Sequence, residues 1–114
     1  MTPKYGIEVF EILDNGNLLN AVYTNTGLFN GNVYSIDNEI AVKIYPDSTG
    51  IEGQYDCRFI EKNNASVCHC ILTITKQGAA FKFVWESDTE LFEGIGLVAG
   101  KNHIAVSYVE INLL

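Results

Sequence analysis

Basic residues are scarce in this chain: seven lysines and arginines stand against fourteen aspartates and glutamates, and the few lysines never gather into a stripe. A formal charge of −7 repels a phosphate backbone and an anionic bilayer, so neither nucleic acid nor membrane is an expected partner. Proline is nearly absent, with Pro3 and Pro46 alone, and no stretch reads as a linker or a disordered tract. No apolar run approaches the roughly 18 residues of a spanning helix, and Met1-Thr2-Pro3-Lys4-Tyr5 leads into an alternating pattern without an apolar leader, which reads as a soluble, cytoplasmic protein. Three cysteines, Cys57, Cys68 and Cys70, are too few and odd in number for a disulfide framework, so free thiols are expected, with a Cys57–Cys70 bridge as the alternative. A phosphate-cradling loop is missing too, because Gly94-Ile95-Gly96 has neither the lysine nor the following helix, and no cofactor is expected.

What the chain does have is strand chemistry. An apolar residue, any residue and glycine recur at Phe29-Asn30-Gly31, Ile51-Glu52-Gly53 and Phe92-Glu93-Gly94, at spacings that suit one or two β-hairpins. Period-2 alternation of β-branched and aromatic residues predicts strands near 5–13, 18–24, 29–36, 39–45, 52–60, 67–75, 80–86, 92–98 and 103–111. Between them lie turn residues such as Asp14-Asn15-Gly16-Asn17, Asp37-Asn38, Asn63-Asn64 and Gly100-Lys101-Asn102, which tolerate positive φ or bond their own backbone. Connections this short make consecutive strands antiparallel neighbours, and eight or nine of them close to remove their edges. The expectation is one all-β domain over residues 1–114, an antiparallel up-and-down meander of eight to nine strands curled into a small barrel.

Turn positions set register, because paired residues across a hairpin have a constant number sum. A loop over Ser87–Glu90 puts Trp85 opposite Phe92, Phe83 opposite Gly94 and Phe81 opposite Gly96; a turn at Gly100-Lys101 puts Gly94 opposite Ser107 and Gly96 opposite Ala105. One face then carries small residues beside a stripe of rings, either as glycine shielded by aromatics or as room for a ligand. Tyr55, Phe81, Phe83, Trp85, Gly94, Gly96 and Ser107 are the candidate ligand-lining residues.

Other constellations carry less chemistry. Strand alternation points Cys68 and Cys70 away from His69, and the hairpin around Asn63-Asn64 sets Cys57 opposite Cys70, so the cysteines read as apolar core and not as a metal site. His103 stands alone beside a turn, no serine or cysteine can be paired with a base, and no catalytic set is named. Glu86, Asp88, Glu90 and Glu93 crowd one hairpin end as an acidic rim that matches no calcium loop. The sequon Asn64-Ala65-Ser66 would matter only in a secreted chain.

Ile51-Glu52-Gly53-Gln54-Tyr55-Asp56 resembles the Leu-Thr-Gly-x-Tyr strand openings of avidin-like barrels and, more loosely, the calycin group of lipocalins and fatty-acid-binding proteins. The resemblance implies a lipocalin-like or avidin-like barrel. It departs from those families in having one tryptophan, Trp85, in reading Gly6-Ile7-Glu8 where lipocalins carry Gly-x-Trp, and in reading Val106-Ser107-Tyr108 where fatty-acid-binding proteins carry an Arg-x-Tyr clamp. A bacterial family of virulence-regulator inhibitors, dimeric lipocalin-like barrels that bind proteins, is similar in size and architecture.

Two functions follow as expectations. The first is a non-catalytic binding barrel for a small apolar molecule in its interior or mouth. The second is a homodimeric or protein-binding module, since Ile40–Tyr45 and Ala80–Trp85 are apolar on both faces and the tail ends in Leu113-Leu114. An enzyme on an apolar substrate is the weaker third.

Overall fold

A computed structural model describes residues 2–62 and 66–111; the Asn63-Asn64 turn, the sequon's Asn64 and Ala65, and the terminal leucines lie outside the described residues. Ten strands form: β1 Tyr5–Leu13, β2 Leu18–Asn25, β3 Phe29–Asn30, β4 Val33–Tyr34, β5 Asp37–Lys43, β6 Gly53–Glu61, β7 Ser66–Gln77, β8 Ala80–Glu86, β9 Leu91–Ala99 and β10 His103–Glu110. Eight close into an antiparallel barrel in the order β1-β10-β9-β8-β7-β6-β5-β2. The meander expected from the alternation is therefore present, and β10 pairs with β1 along its length to remove both edges. Among the described residues no helix is long and apolar enough to cross a membrane.

The segment expected as a strand over 29–36 is not a barrel stave. Its middle turns at Gly31, whose φ is +65°, so β3 and β4 pair only with each other as a small hairpin between β2 and β5. A second correction concerns register. The connection from β9 to β10 turns through Gly100, Lys101 and Asn102, with φ +73° at Gly100, one residue more than expected. Gly94 faces Tyr108 and Gly96 faces Val106, while Ser107 faces Ile95 on the outside. A one-residue change moves every side chain of a strand to the other face, which is why Ser107 is exposed and Tyr108 is buried.

The hairpins on either side follow the expected pairing: Trp85 opposite Phe92 and Phe83 opposite Gly94 across β8–β9, Cys57 opposite Cys70 and Arg58 opposite His69 across β6–β7. Inward residues fill one half of the barrel. Phe10, Leu19, Ala41, Tyr55, Leu72, Ile74, Phe83 and Ile104 are essentially inaccessible, and Phe10 stacks on Phe83 at 5.6 Å between centroids. Gly96 belongs to this packing, since a Cβ there would lie 2.6 Å from Cε1 of Phe83. Tyr5, at the start of β1, is exposed.

This filled end is sealed from below. The Tyr55 hydroxyl lies 2.7 Å from the carbonyl oxygens of both Gly16 and Ile51, tying the Asp14–Gly16 turn to the β5–β6 loop. The buried Lys43 ammonium crosses the same floor, donating to Asp47 Oδ1 at 2.9 Å and to the Gly50 carbonyl at 2.6 Å. Because Lys43 holds it, the exposed Asp47 carboxyl sits below the usual range.

Candidate functional site

The opposite end is open. Starts of β1, β5, β7 and β9 and ends of β2, β6, β8 and β10 meet there, and the turn Thr26–Leu28 leans over them. Here the inward positions change character: β1 supplies Glu8, β2 Tyr23 and Asn25, β6 Phe59 and Glu61, β8 Trp85, β9 Phe92 and β10 Tyr108. They enclose a cavity of about 170 Å³.

Its walls are rings set mostly edge to face or tilted. Tyr23 meets Phe59 at 5.4 Å, Trp85 meets Tyr108 at 5.5 Å, and Phe92 meets Tyr108 at 5.8 Å between centroids. Trp85 also stacks on Phe83, so the wall continues the core ladder outward. The Tyr108 hydroxyl is fixed between two partners, accepting from Asn25 Nδ2 at 3.0 Å and donating to the Thr24 carbonyl at 3.3 Å.

The floor is acidic. Glu8 is 3% exposed and Glu39, behind it on β5, is fully buried. Glu39 Oε2 accepts from Trp85 Nε1 at 3.0 Å and from the Cys57 thiol at 2.6 Å. The two carboxyl groups are close neighbours, and a hydrogen bond between them needs a proton on one of the two. Burial pushes Glu8 well above the ordinary carboxylate range, and the charge of Glu39 adds to the shift. Burial raises Glu39 as well, opposed by the bonds it accepts from Glu8, Cys57 and Trp85. Two carboxylates side by side in an apolar site cannot both ionise, so the pair holds a proton where a solvated pair would hold none. Oε2 of Glu8, Oε1 of Glu39 and Oδ2 of the buried Asp37 are shielded from solvent and have no hydrogen-bond partner among the described residues.

At the rim, Lys4 pairs with Glu90 at 3.3 Å across the mouth, and the Cys68 thiol approaches Glu61 Oε1 at 3.5 Å. Cys68 was expected in the core but is exposed, because it sits at the flaring end of β7; Cys57 and Cys70 are buried as expected, and all three thiols are free. Among the described residues no three histidine, cysteine or acidic side chains converge as a metal site.

The sequence-derived candidates do not share one space. Trp85 lines the cavity; Tyr55 belongs to the sealed floor and Phe83 to the packed core, with Gly96 beneath its ring. Phe81, Gly94 and Ser107 border an open groove on the outside of β8, β9, β10 and β1. The residues that sequence reasoning missed are Glu8 and Glu39, together with Tyr23, Phe92 and Tyr108. Their signal was present as acids at alternate positions in apolar strands, at Gly6-Ile7-Glu8-Val9-Phe10 and Asn38-Glu39-Ile40-Ala41.

These features define a class, an eight-stranded antiparallel barrel sealed at one end and opening at the other into an aromatic cavity with a carboxyl floor. Compared with known proteins, the chain matches no family model, no curated protein and no solved structure.

Proposed function

We propose that this protein is a calycin-like binding barrel that holds a small molecule with an apolar body in the cavity at its open end. The observation that carries the reading is Glu8, a carboxyl group 97% buried at the base of a ring-lined space that has no structural need for it. A packed barrel end would place an apolar side chain there at lower cost, since burying a polar group without full compensation is unfavourable. Ligand sites are concave and mostly apolar with a few convergent polar groups, and this cavity has that make-up. Its size suits a compact ligand, because a protein cavity of about 150 Å³ holds benzene.

Native mass spectrometry of protein purified gently from its host tests the proposal. A mass excess that disappears on denaturation is the expected result. A bare chain that also leaves Trp85 fluorescence unchanged across a library of compact aromatic and alicyclic compounds would sink it.

One observation favours a second reading, self-association. On the outer face, Val22, Val9, Ala105 and Leu97 form a row across β2, β1, β10 and β9, followed by Ile7, Ser107 and Ile95 and then by Tyr5 and Val109. Ile95 is 70% exposed and Ile7 62%. A contiguous apolar sheet face of this kind suits a second copy of the chain packed face to face. Light scattering should then report a dimer that Ile95→Lys dissociates, and a monomer at every concentration would remove this reading.

A further inference from the structure

We infer that the ligand of this cavity is a small organic cation, an ammonium group on a compact apolar body, with the ammonium seated on Glu8, which Glu39 backs, and the body among the rings. The assignment rests on the binding reading above and specifies its chemistry.

Three independent features of the site converge on positive charge. The first is geometric: Glu8 lines the cavity, is buried beyond nine-tenths, and has an oxygen without a partner other than the adjoining carboxyl. Glu39 behind it already accepts from Trp85 and Cys57. Glu8 Oε2 and Glu39 Oε1 are both left without a hydrogen-bond partner, and of the two side chains it is Glu8 that borders the space. An ammonium is a pure donor and complements an acceptor-only carboxylate.

The second is the composition of the walls. Tyr23, Phe59, Trp85, Phe92 and Tyr108 present ring faces and edges around the space. Cations are attracted to such faces, most strongly when desolvated.

The third is the field. Around the pair stand Asp37 from β5, Glu61 from β6 and Glu90 at the mouth, with the Cys70 thiol beside Cys57; Tyr23, Tyr108 and Cys57 are neutral groups. Among the described residues the one cation lining the mouth, Lys4, is engaged with Glu90. Burial first, and then the nearby charges of Asp37, Glu61 and Glu8, drive the Tyr23 phenol upward. An anionic ligand would meet repulsion from these carboxylates.

Linkage adds a signature. The pair keeps a proton because its second charge is unfavourable, and an ammonium ion beside it removes that disadvantage. Binding should therefore release a proton, and affinity should rise with pH while the ligand remains an ammonium ion.

Titration of the full chain with benzylammonium, benzyl alcohol and benzoate, followed by the fluorescence of Trp85, is the test. Benzylammonium should bind at least about ten-fold more tightly than benzyl alcohol, and benzoate more weakly than either. Calorimetry in two buffers of different ionisation enthalpy should show proton release with the ammonium alone. Glu8→Gln should abolish the preference for the ammonium over the alcohol; the proton count on the unmodified protein decides the matter even if that variant fails to fold. Equal binding of ammonium and alcohol, or a preference for benzoate, overturns the cation assignment and leaves the binding barrel standing. A flat response to all three probes, together with no retained mass from the host, overturns both.

Discussion

A carboxyl group beneath aromatic rings is costly to ionise, and the sign of that cost is measurable at Glu8. Its pKa in the folded chain is raised, so the folded state binds more protons than the unfolded one above the ordinary carboxylate range. The favourable contribution is fully present below the unfolded pKa and is lost as pH rises through the folded one. Glu8→Gln removes this dependence: its melting temperature should exceed that of the parent protein by a margin that widens as pH rises above the ordinary carboxylate range. A constant or shrinking margin would contradict the buried-pair account. Asp47 carries the opposite sign, since its lowered pKa makes stability fall as pH drops, and Asp47→Asn should flatten the acid limb of the stability profile. Core positions behave differently. Phe83→Ala empties a site packed on Phe10, Trp85 and Gly96 and should cost about 3–5 kcal/mol in denaturant unfolding. Gly96→Ala pushes a methyl group into the same ring from below and should cost about 1–3 kcal/mol, an effect that Phe83→Leu should relieve in the double variant.

At the scale of elements, the hairpins differ in how far their sequence discloses their pairing. Ser87–Glu90 closes through its own bonds, with the Ser87 hydroxyl accepting from the Glu90 amide at 3.1 Å, so β8–β9 pairing can be counted from the loop alone. The β9–β10 turn contains Gly100-Lys101-Asn102, where a two-residue and a three-residue turn are equally compatible with the residue types, and the choice moves Ser107 from inside to outside. The apolar-x-glycine repeats likewise serve three purposes: Gly31 makes a tight turn, Gly53 opens β6 at φ +142°, and Gly94 sits inside a regular strand. The sealed floor is an element-level device as well. Tyr55→Phe leaves the Gly16 and Ile51 carbonyls without their shared donor and should cost about 1–3 kcal/mol. Hydrogen exchange should then rise at the Lys43 and Ile44 amides, which bond to Asn17 and Gln54 beside the loop.

For the whole molecule, closure is the dominant event. Pairing of β1 with β10 joins Tyr5 to Val109, the two ends of the described chain, and such non-local pairing slows folding. Stopped-flow refolding should fall in roughly the millisecond-to-second range, and microsecond folding would be inconsistent with closure in the transition state. Alternation and turn spacing were sufficient for the all-β meander, because each is a local property that every strand states for itself. They also placed Phe83 and Trp85 on one inward stripe and Cys57 opposite Cys70. Glu8 and Glu39 were visible as acids within apolar strands but could not be placed, since Ile7, Val9, Ile40 and Val42 make the other phase of their strands at least as apolar and leave the inward face undetermined. Only when eight strands close does one phase become the interior, and only then do two acids 31 residues apart on β1 and β5 become buried neighbours. The local code settled the staves and most of their pairing; the barrel's inside, its sealed end and its acidic mouth were decided by closure, because burial belongs to the assembled sheet and not to any one strand.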